Sequence, residues 1–225
     1  MVEASPDNQL SEEYQLRFAG NEDYRLRVWR ILCERFFNRY IQPQQEVLDL
    51  GAGWGEFINQ IVAAKKYAMD RNPDTGNHLA AGVQFFHQDC TTTWPLKEHS
   101  LDVVFTSNFL EHLPGKPAIQ QTLAEARRCL KPGGRLLCLG PNIRYVGGAY
   151  WDFWDHHVPL TDASLADILQ LSGFEIEQSI ARFLPYSMST GRRAPVFLVS
   201  VYLRLPLLWR VFGKQFLLVA RRAGA

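Results

Sequence analysis

Nothing acidic follows Glu177 in this chain. All 23 aspartates and glutamates lie at or before it, together with 16 of the 24 lysines and arginines, so the first 177 residues carry a formal charge of −7. The remainder carries +8, from Arg182, Arg192, Arg193, Arg204, Arg210, Lys214, Arg221 and Arg222. Such a split suggests an anionic partner or a membrane surface for the C-terminal part, or else a basic tail that is solvated or paired with the acidic body. The chain also lacks a C-x-x-C pair. Cys33, Cys90, Cys129 and Cys138 stand far apart, which indicates neither a zinc site nor a disulfide framework and fits a reducing, cytoplasmic compartment. The opening Met-Val-Glu-Ala-Ser-Pro-Asp is acidic and polar, the opposite of a signal peptide's basic and then apolar start. A run of about 20 nearly uncharged apolar residues is missing too: residues 195–213, the most apolar stretch, are broken by Arg204, Pro206 and Arg210. There is no internal repeat and no low-complexity segment. With 225 residues, 47% of them hydrophobic and 21% charged, the expectation is one α/β domain over 1–225 with a full core.

What is present alternates. Apolar residues at helical spacing over 11–40, interrupted around Gly20-Asn21, predict two N-terminal helices. Strands are expected at 46–50, 66–70, 83–87, 101–106, 134–139, 174–180 and 216–221. Helices are expected at 55–64, at 117–130, and from an N-cap at Thr161 to near Gly173. Strands alternating with helices argue for a Rossmann-like, seven-stranded, mostly parallel sheet with helices on both faces, ligands binding outside the carboxyl ends of its strands. At the first such end stands Asp49-Leu50-Gly51-Ala52-Gly53-Trp54-Gly55-Glu56-Phe57. Three alternate glycines let the backbone turn tightly and let a ligand approach bare amides at a helix N-terminus. A dinucleotide G-x-G-x-x-G would place the third glycine one residue later. Asp70 follows Asp49 by 21 positions, the offset of a ribose-binding acid in nucleotide-binding βαβ units.

The acid before G-x-G-x-G, the acids Asp70 and Asp89 ending the two following strands, and Leu130-Lys131-Pro132-Gly133-Gly134-Arg135-Leu136 before the fifth together resemble class I S-adenosylmethionine (SAM)-dependent methyltransferases over residues 46–140. The segment Asn108-Phe109-Leu110-Glu111-His112-Leu113 narrows the resemblance to their small-molecule group. Tyr150-Trp151-Asp152-Phe153, Asp155 to Thr161 and Arg182-Phe183-Leu184-Pro185-Tyr186 look like a bacterial subset of it. The resemblance implies SAM as cofactor. It would be held by Asp49, Gly51, Ala52, Gly53 and Gly55, by Asp70 on the ribose with Arg71 beside it, by Asp89 on the adenine amino group with the Cys90 backbone flanking the ring, and by Asn108 at the methionine end. Tyr14, Arg17 and Phe18 would fold over the cofactor, with Arg17 pairing its carboxylate. Asp70 and Asp89 could instead cap turns.

Methyl transfer needs the acceptor held in line and, where required, a base. His112 is one candidate. His156 and His157, beside Asp152 and Asp155 in an aromatic loop over 141–160, are others; the same four residues could be read as metal ligands, but adjacent histidines seldom face one site, and no metal is expected. Trp151, Phe153 and Trp154 would wall the acceptor pocket or plug the sheet end. Residues 195–213 would form a lid on the sheet or an interfacial helix flanked by arginines. The acceptor is expected to be a small or lipid-like molecule. Nucleic acid is disfavoured, because the tail's charges are mixed with large apolar residues and no Asn/Asp-Pro-Pro-Tyr/Phe segment follows the fourth strand. A nicotinamide enzyme or a binding protein that kept the fold and lost chemistry are the alternatives.

Overall fold

The computed structural model describes residue 20 and residues 22–186 and 194–224. Seven strands form one sheet: β1 (Glu46–Leu50), β2 (Lys65–Asp70), β3 (Val83–His87), β4 (Leu101–Ser107), β5 (Leu130–Pro141), β6 (Phe174–Ile180) and β7 (Gln215–Arg222), in the order β3-β2-β1-β4-β5-β7-β6. Neighbours from β3 to β5 run parallel, and β7 lies antiparallel between β5 and β6. All seven expected strands are present. β5 is longer than expected because its ladder with β7 runs through to Pro141.

The central strands read as nearly continuous apolar runs because both their faces are covered. Alternate residues serve alternate faces. Val47, Ala68, Val103, Phe105, Leu137 and Val219 pack under helix α1 (Glu22–Arg35), against Trp29, Leu32 and Cys33. Leu48, Leu50, Met69, Val104, Leu136 and Leu218 pack under α2 (Lys116–Cys129) and α3 (Asp162–Leu171). The expected N-cap of α3 is a capping box: Thr161 Oγ1 accepts from the Ser164 amide at 3.0 Å, and Ser164 Oγ accepts from the Thr161 amide at 2.9 Å. Such a cap is worth about 1 kcal/mol.

The helix expected over 55–64 does not form; the segment is a series of turns. One helical bond remains, from the Asn59 amide to the Gly55 carbonyl at 3.0 Å, but the Ile58 amide donates to the Asp49 carboxylate and that of Gln60 to the Phe57 carbonyl at 2.9 Å. The Asn59 side chain bridges the His78 carbonyl and the Ala80 amide, at 2.9 and 2.8 Å, tying the turns to the chain beyond β2. Local hydrogen bonds of this kind compete directly with the helical ladder.

Residues 195–213 form two short helices, α4 (Phe197–Arg204) and α5 (Pro206–Phe212), with the break at Leu205-Pro206. Proline stands at the first position of α5, where its missing N–H costs nothing. Among the described residues no helix is long and apolar enough to cross a membrane. The sheet order reverses between β1 and β4, which opens a crevice at their carboxyl ends. The segments 142–160, 181–186 and 194–214 rise from that same edge, since Pro141 pairs with Gln215 and Ile180 with Leu217.

Candidate functional site

The loop after β1 turns back on β2. The amides of Gly51 and Ala52 both donate to the Met69 carbonyl, at 2.9 and 3.2 Å, and that of Gly55 to the Ala52 carbonyl at 2.9 Å. The Gly53 amide donates to Asp70 Oδ2 at 2.8 Å. The amides expected to be bare are therefore already used, and what the glycines supply is shape. Gly51, Gly53 and Gly55 have φ of +70°, +54° and +71°, the left-handed region that suits glycine. The Phe109 ring also lies 2.3 Å from where a Gly51 Cβ would stand. Gly51→Ala is thus strained twice over. It should lower the melting temperature by several degrees and weaken cofactor binding at least tenfold, read by differential scanning fluorimetry and calorimetry.

Three carboxylates gather under this loop, and Asp49, Glu56 and Asp70 are all buried. Arg25 of α1 forms an ion pair with Glu56. Burial raises the Asp49 pKa well above the usual carboxylate range; the neighbouring Glu56 and Asp70 charges add to this, and the Ile58 amide opposes it. Burial likewise raises Asp70, against the amides of Asn72, Gly53 and Arg71 and the His87 ring. Once Asp49 and Asp70 are ionised, one guanidinium among three acids leaves the crevice electronegative. A pyrophosphate would be repelled there, whereas a ligand carrying a sulfonium and an ammonium is complementary. Glycine cradle and charge together fit SAM.

A pH dependence follows. Both acids ionise only above their raised pKa values, and a cationic ligand favours the ionised form. SAM affinity should rise with pH through that window, above the ordinary carboxylate range near 4, and then level off; calorimetry from acid to neutral pH reads it. A flat profile would remove the acids from the site.

Asp70 accepts at both oxygens, from Gly53 and from the Asn72 amide at 2.8 Å, and the carboxylate keeps acceptor capacity for a ribose hydroxyl. Asp89 is half-exposed and caps its own turn through Oδ1, which accepts from the Thr91 amide and hydroxyl at 2.8 and 2.7 Å. Its Oδ2 stands 3.9 Å from Arg71. Partial burial pushes Asp89 up, but the Thr91 donors and the Arg71 charge outweigh it and hold the carboxyl below the usual range. The Cys90 carbonyl accepts from Trp94 Nε1 at 2.9 Å. Burial pushes its thiol up to about 11, so the sulfur is inert. Asn108 has φ +47° and donates to Ser107 Oγ at 3.0 Å. Tyr14, Arg17 and Phe18 lie outside the described residues.

The second half of the site begins where the chain passes Phe109. Glu111, His112, Asp155 and His156 come together there, stitched by the His157 and Val158 amides, which donate to the Glu111 carbonyl at 2.8 and 3.1 Å. His112 Nδ1 lies 2.9 Å from Asp155 Oδ2 and 3.1 Å from the Asp155 carbonyl. His156 Nδ1 lies 2.9 Å from the Tyr150 carbonyl. A carbonyl only accepts, so both Nδ1 atoms carry protons, and in its neutral form each ring has its basic lone pair on Nε2. The rings are 4.8 Å apart, and Phe153 stacks on His156 at 4.9 Å.

Of the expected histidines, His112 and His156 belong to this cluster, whereas His157 is exposed and contributes its backbone. Asp152 is exposed as well, and Asp155 is the acid that joins. Phe153 is the expected wall residue that packs here; Trp151 and Trp154 point outward, Trp154 with 95% of its surface exposed. One ligand atom each from Glu111, His112 and His156 lies within 4.8 Å of the others. Three such groups could share a metal ion or move a proton. The sequence reading missed Glu111, the His112–Asp155 pair and the Arg25–Glu56 pair. Only the Glu-His doublet at 111–112 could have hinted at the first.

Sheet order, glycine turn and acid-lined crevice define a protein that binds a cationic nucleoside cofactor at the carboxyl edge of a Rossmann-like sheet. Residues 48–138 match the family described as Methyltransferase domain. A probable SAM-dependent methyltransferase of Mycolicibacterium smegmatis is 29% identical over 191 residues, 79% of this chain and 72% of that protein. Phosphoethanolamine N-methyltransferase 1 of Arabidopsis thaliana is 28% identical over 57% of this chain, which spans only 30% of that enzyme. In fold, one chain of the complex between the Haloferax volcanii Trm112 methyltransferase activator and a methyltransferase aligns over 100% of both chains with TM-score 0.70 and 16% identity. Together these matches support a class I SAM-dependent methyltransferase with SAM as its cofactor.

Proposed function

We propose that this enzyme methylates an oxygen or nitrogen of a small or amphipathic acceptor in the cytoplasm, with His112 as the base. The observation that carries the reading is the His112–Asp155 pair at 2.9 Å, three residues beyond the ring that covers Gly51. SAM supplies a methyl already activated by its sulfonium. The chain must hold the acceptor in line, exclude water and accept a proton. Asp155 fixes the His112 ring with Nδ1 protonated, so Nε2 is the nitrogen that receives the acceptor's proton, and the carboxylate stabilises the imidazolium that results. His156, held in the same tautomer by the Tyr150 carbonyl, orients the acceptor beside it. Phe153 and Tyr186, 6.0 Å apart, flank the cluster with apolar surface.

The plant relative named above acts on phosphoethanolamine, which supports an amine or hydroxyl on a polar headgroup as the acceptor's reactive end. Four free, buried cysteines support a reducing compartment. The test is release of S-adenosylhomocysteine from SAM when hydroxylated or aminated amphipaths are supplied. Product formed by the wild type and not by His112→Gln supports the reading. Equal turnover by both would remove His112 from the chemistry.

A further inference from the structure

We infer that the α4–α5 elbow docks the enzyme on an anionic lipid bilayer. Seven of the eleven exposed large hydrophobic side chains among the described residues lie between Phe197 and Phe212. Phe197, Leu207 and Val211 are exposed over 65%, 75% and 62% of their surfaces. The stretch serves both expectations in part: Val199, Leu203 and Trp209 pack down on the core around Phe36 and Phe183, and its other large apolar residues face outward.

The underside explains why the apolar face points out. Leu203 is buried, and Tyr202 Oη donates to the Phe183 carbonyl at 2.6 Å. Trp209 Nε1 donates to the Tyr202 carbonyl at 2.8 Å. Arg182 donates from Nε to the Gly213 carbonyl at 2.9 Å and from Nη2 to the Val211 carbonyl at 2.7 Å, closing the end of α5. Tyr24 of α1 donates to the Ala194 carbonyl at 3.0 Å, fastening the start of the segment. The polar anchors all face the body, so Phe197, Val201, Leu205, Leu207, Val211 and Phe212 are left on the outer side.

Charge complementarity selects the occupant. Arg204, Arg210 and Lys214 are exposed on the same segment, and the sequence has no acid beyond Glu177 to balance them. An apolar face on a segment that itself carries Arg204, Arg210 and Lys214 and no acid matches the headgroup and acyl boundary of an anionic membrane. A second copy of this chain is disfavoured, because a two-fold contact would set the same cations against each other. The elbow and the outward-facing Trp151 rise from one edge of the sheet, the edge that carries the His112 cluster. Docking would therefore bring the acceptor end to lipid-borne acceptors. The docking stands on the surface alone; the choice of a bilayer-borne acceptor rests on the function proposed above.

Co-sedimentation with vesicles of equimolar phosphatidylcholine and phosphatidylglycerol, against phosphatidylcholine alone, tests this, with SAM titration of every variant. Wild type should pellet with the anionic vesicles at low salt. The double variant Leu207→Glu and Val211→Glu, at positions already in solvent, should lose at least tenfold in partitioning. Arg204→Glu with Arg210→Glu should lose about tenfold on anionic vesicles. Each should bind SAM as the wild type does, which separates failure of docking from failure of the methyltransferase site. Wild-type protein that stays in the supernatant would overturn the inference. So would a dimer, measured by light scattering, that Leu207→Glu dissolves, since a second copy would then be the occupant.

Discussion

Asp70→Asn is expected to weaken SAM binding by about 100-fold or more in calorimetric titration while leaving the fold intact. The Asp70 oxygens already hold the turn together by accepting from Gly53 and Asn72. Asparagine keeps one acceptor, but its NH2 group must face one of those amides, donor against donor. Two ribose hydroxyls also lose a charged acceptor. Hydrogen bonds to charged groups are worth about 1.5–3 kcal/mol each, so the loss of two corresponds to roughly 10²- to 10⁴-fold.

Stability moves the other way. The folded-state pKa of Asp70 is raised, mainly by burial. Ionisation therefore costs stability as pH rises from the unfolded through the folded pKa. An uncharged amide removes it and offsets the strained turn, so the melting temperature should stay within a few degrees. Unchanged affinity in a well-folded variant would displace Asp70 from the cofactor site.

The second large effect concerns turnover. With an acceptor in hand, His112→Gln should lower kcat by about 10²- to 10⁴-fold, the range that a positioned general base contributes. The dissociation constant for SAM should be unchanged. Asp155→Asn tests the pairing itself. The asparagine amide can present its NH2 to Nδ1 and so favour the wrong tautomer, moving the proton to the nitrogen that should accept one. A large fall in kcat with unaltered SAM binding is expected. Loss of SAM binding in either variant would show that the cluster shapes the cofactor crevice, and an unaltered kcat would mean that the acceptor arrives already deprotonated or carries no proton to lose.

Residues 48–138, the part that matches the Methyltransferase domain family, hold every glycine and acid assigned to the cofactor. The cluster at His112 takes half its members from 150–156, beyond that match. Cofactor and acceptor are thus read from different parts of the chain.

What the sequence determined by itself was whatever depends on short-range pattern. Seven strands followed from apolar runs bounded by turn residues, and the Asp49 to Gly55 loop and Asp70 followed from their spacing, because turns and strand ends impose fixed offsets. The cap at Thr161 was legible for the same reason. The tertiary structure decided everything that depends on which segments meet. The helix expected at 55–64 gave way to turns because Asp49 and the chain near His78 compete for its backbone and side-chain hydrogen bonds. His112 found Asp155, 43 positions away, because both segments stand on one edge of the sheet. His156 joined them while His157 did not, because neighbouring residues in an extended loop point to opposite sides. The elbow at 197–212 has a helical pattern that fixes which residues share a face. Only its anchors to Phe183, Arg182 and α1 decided that the apolar face would look outward.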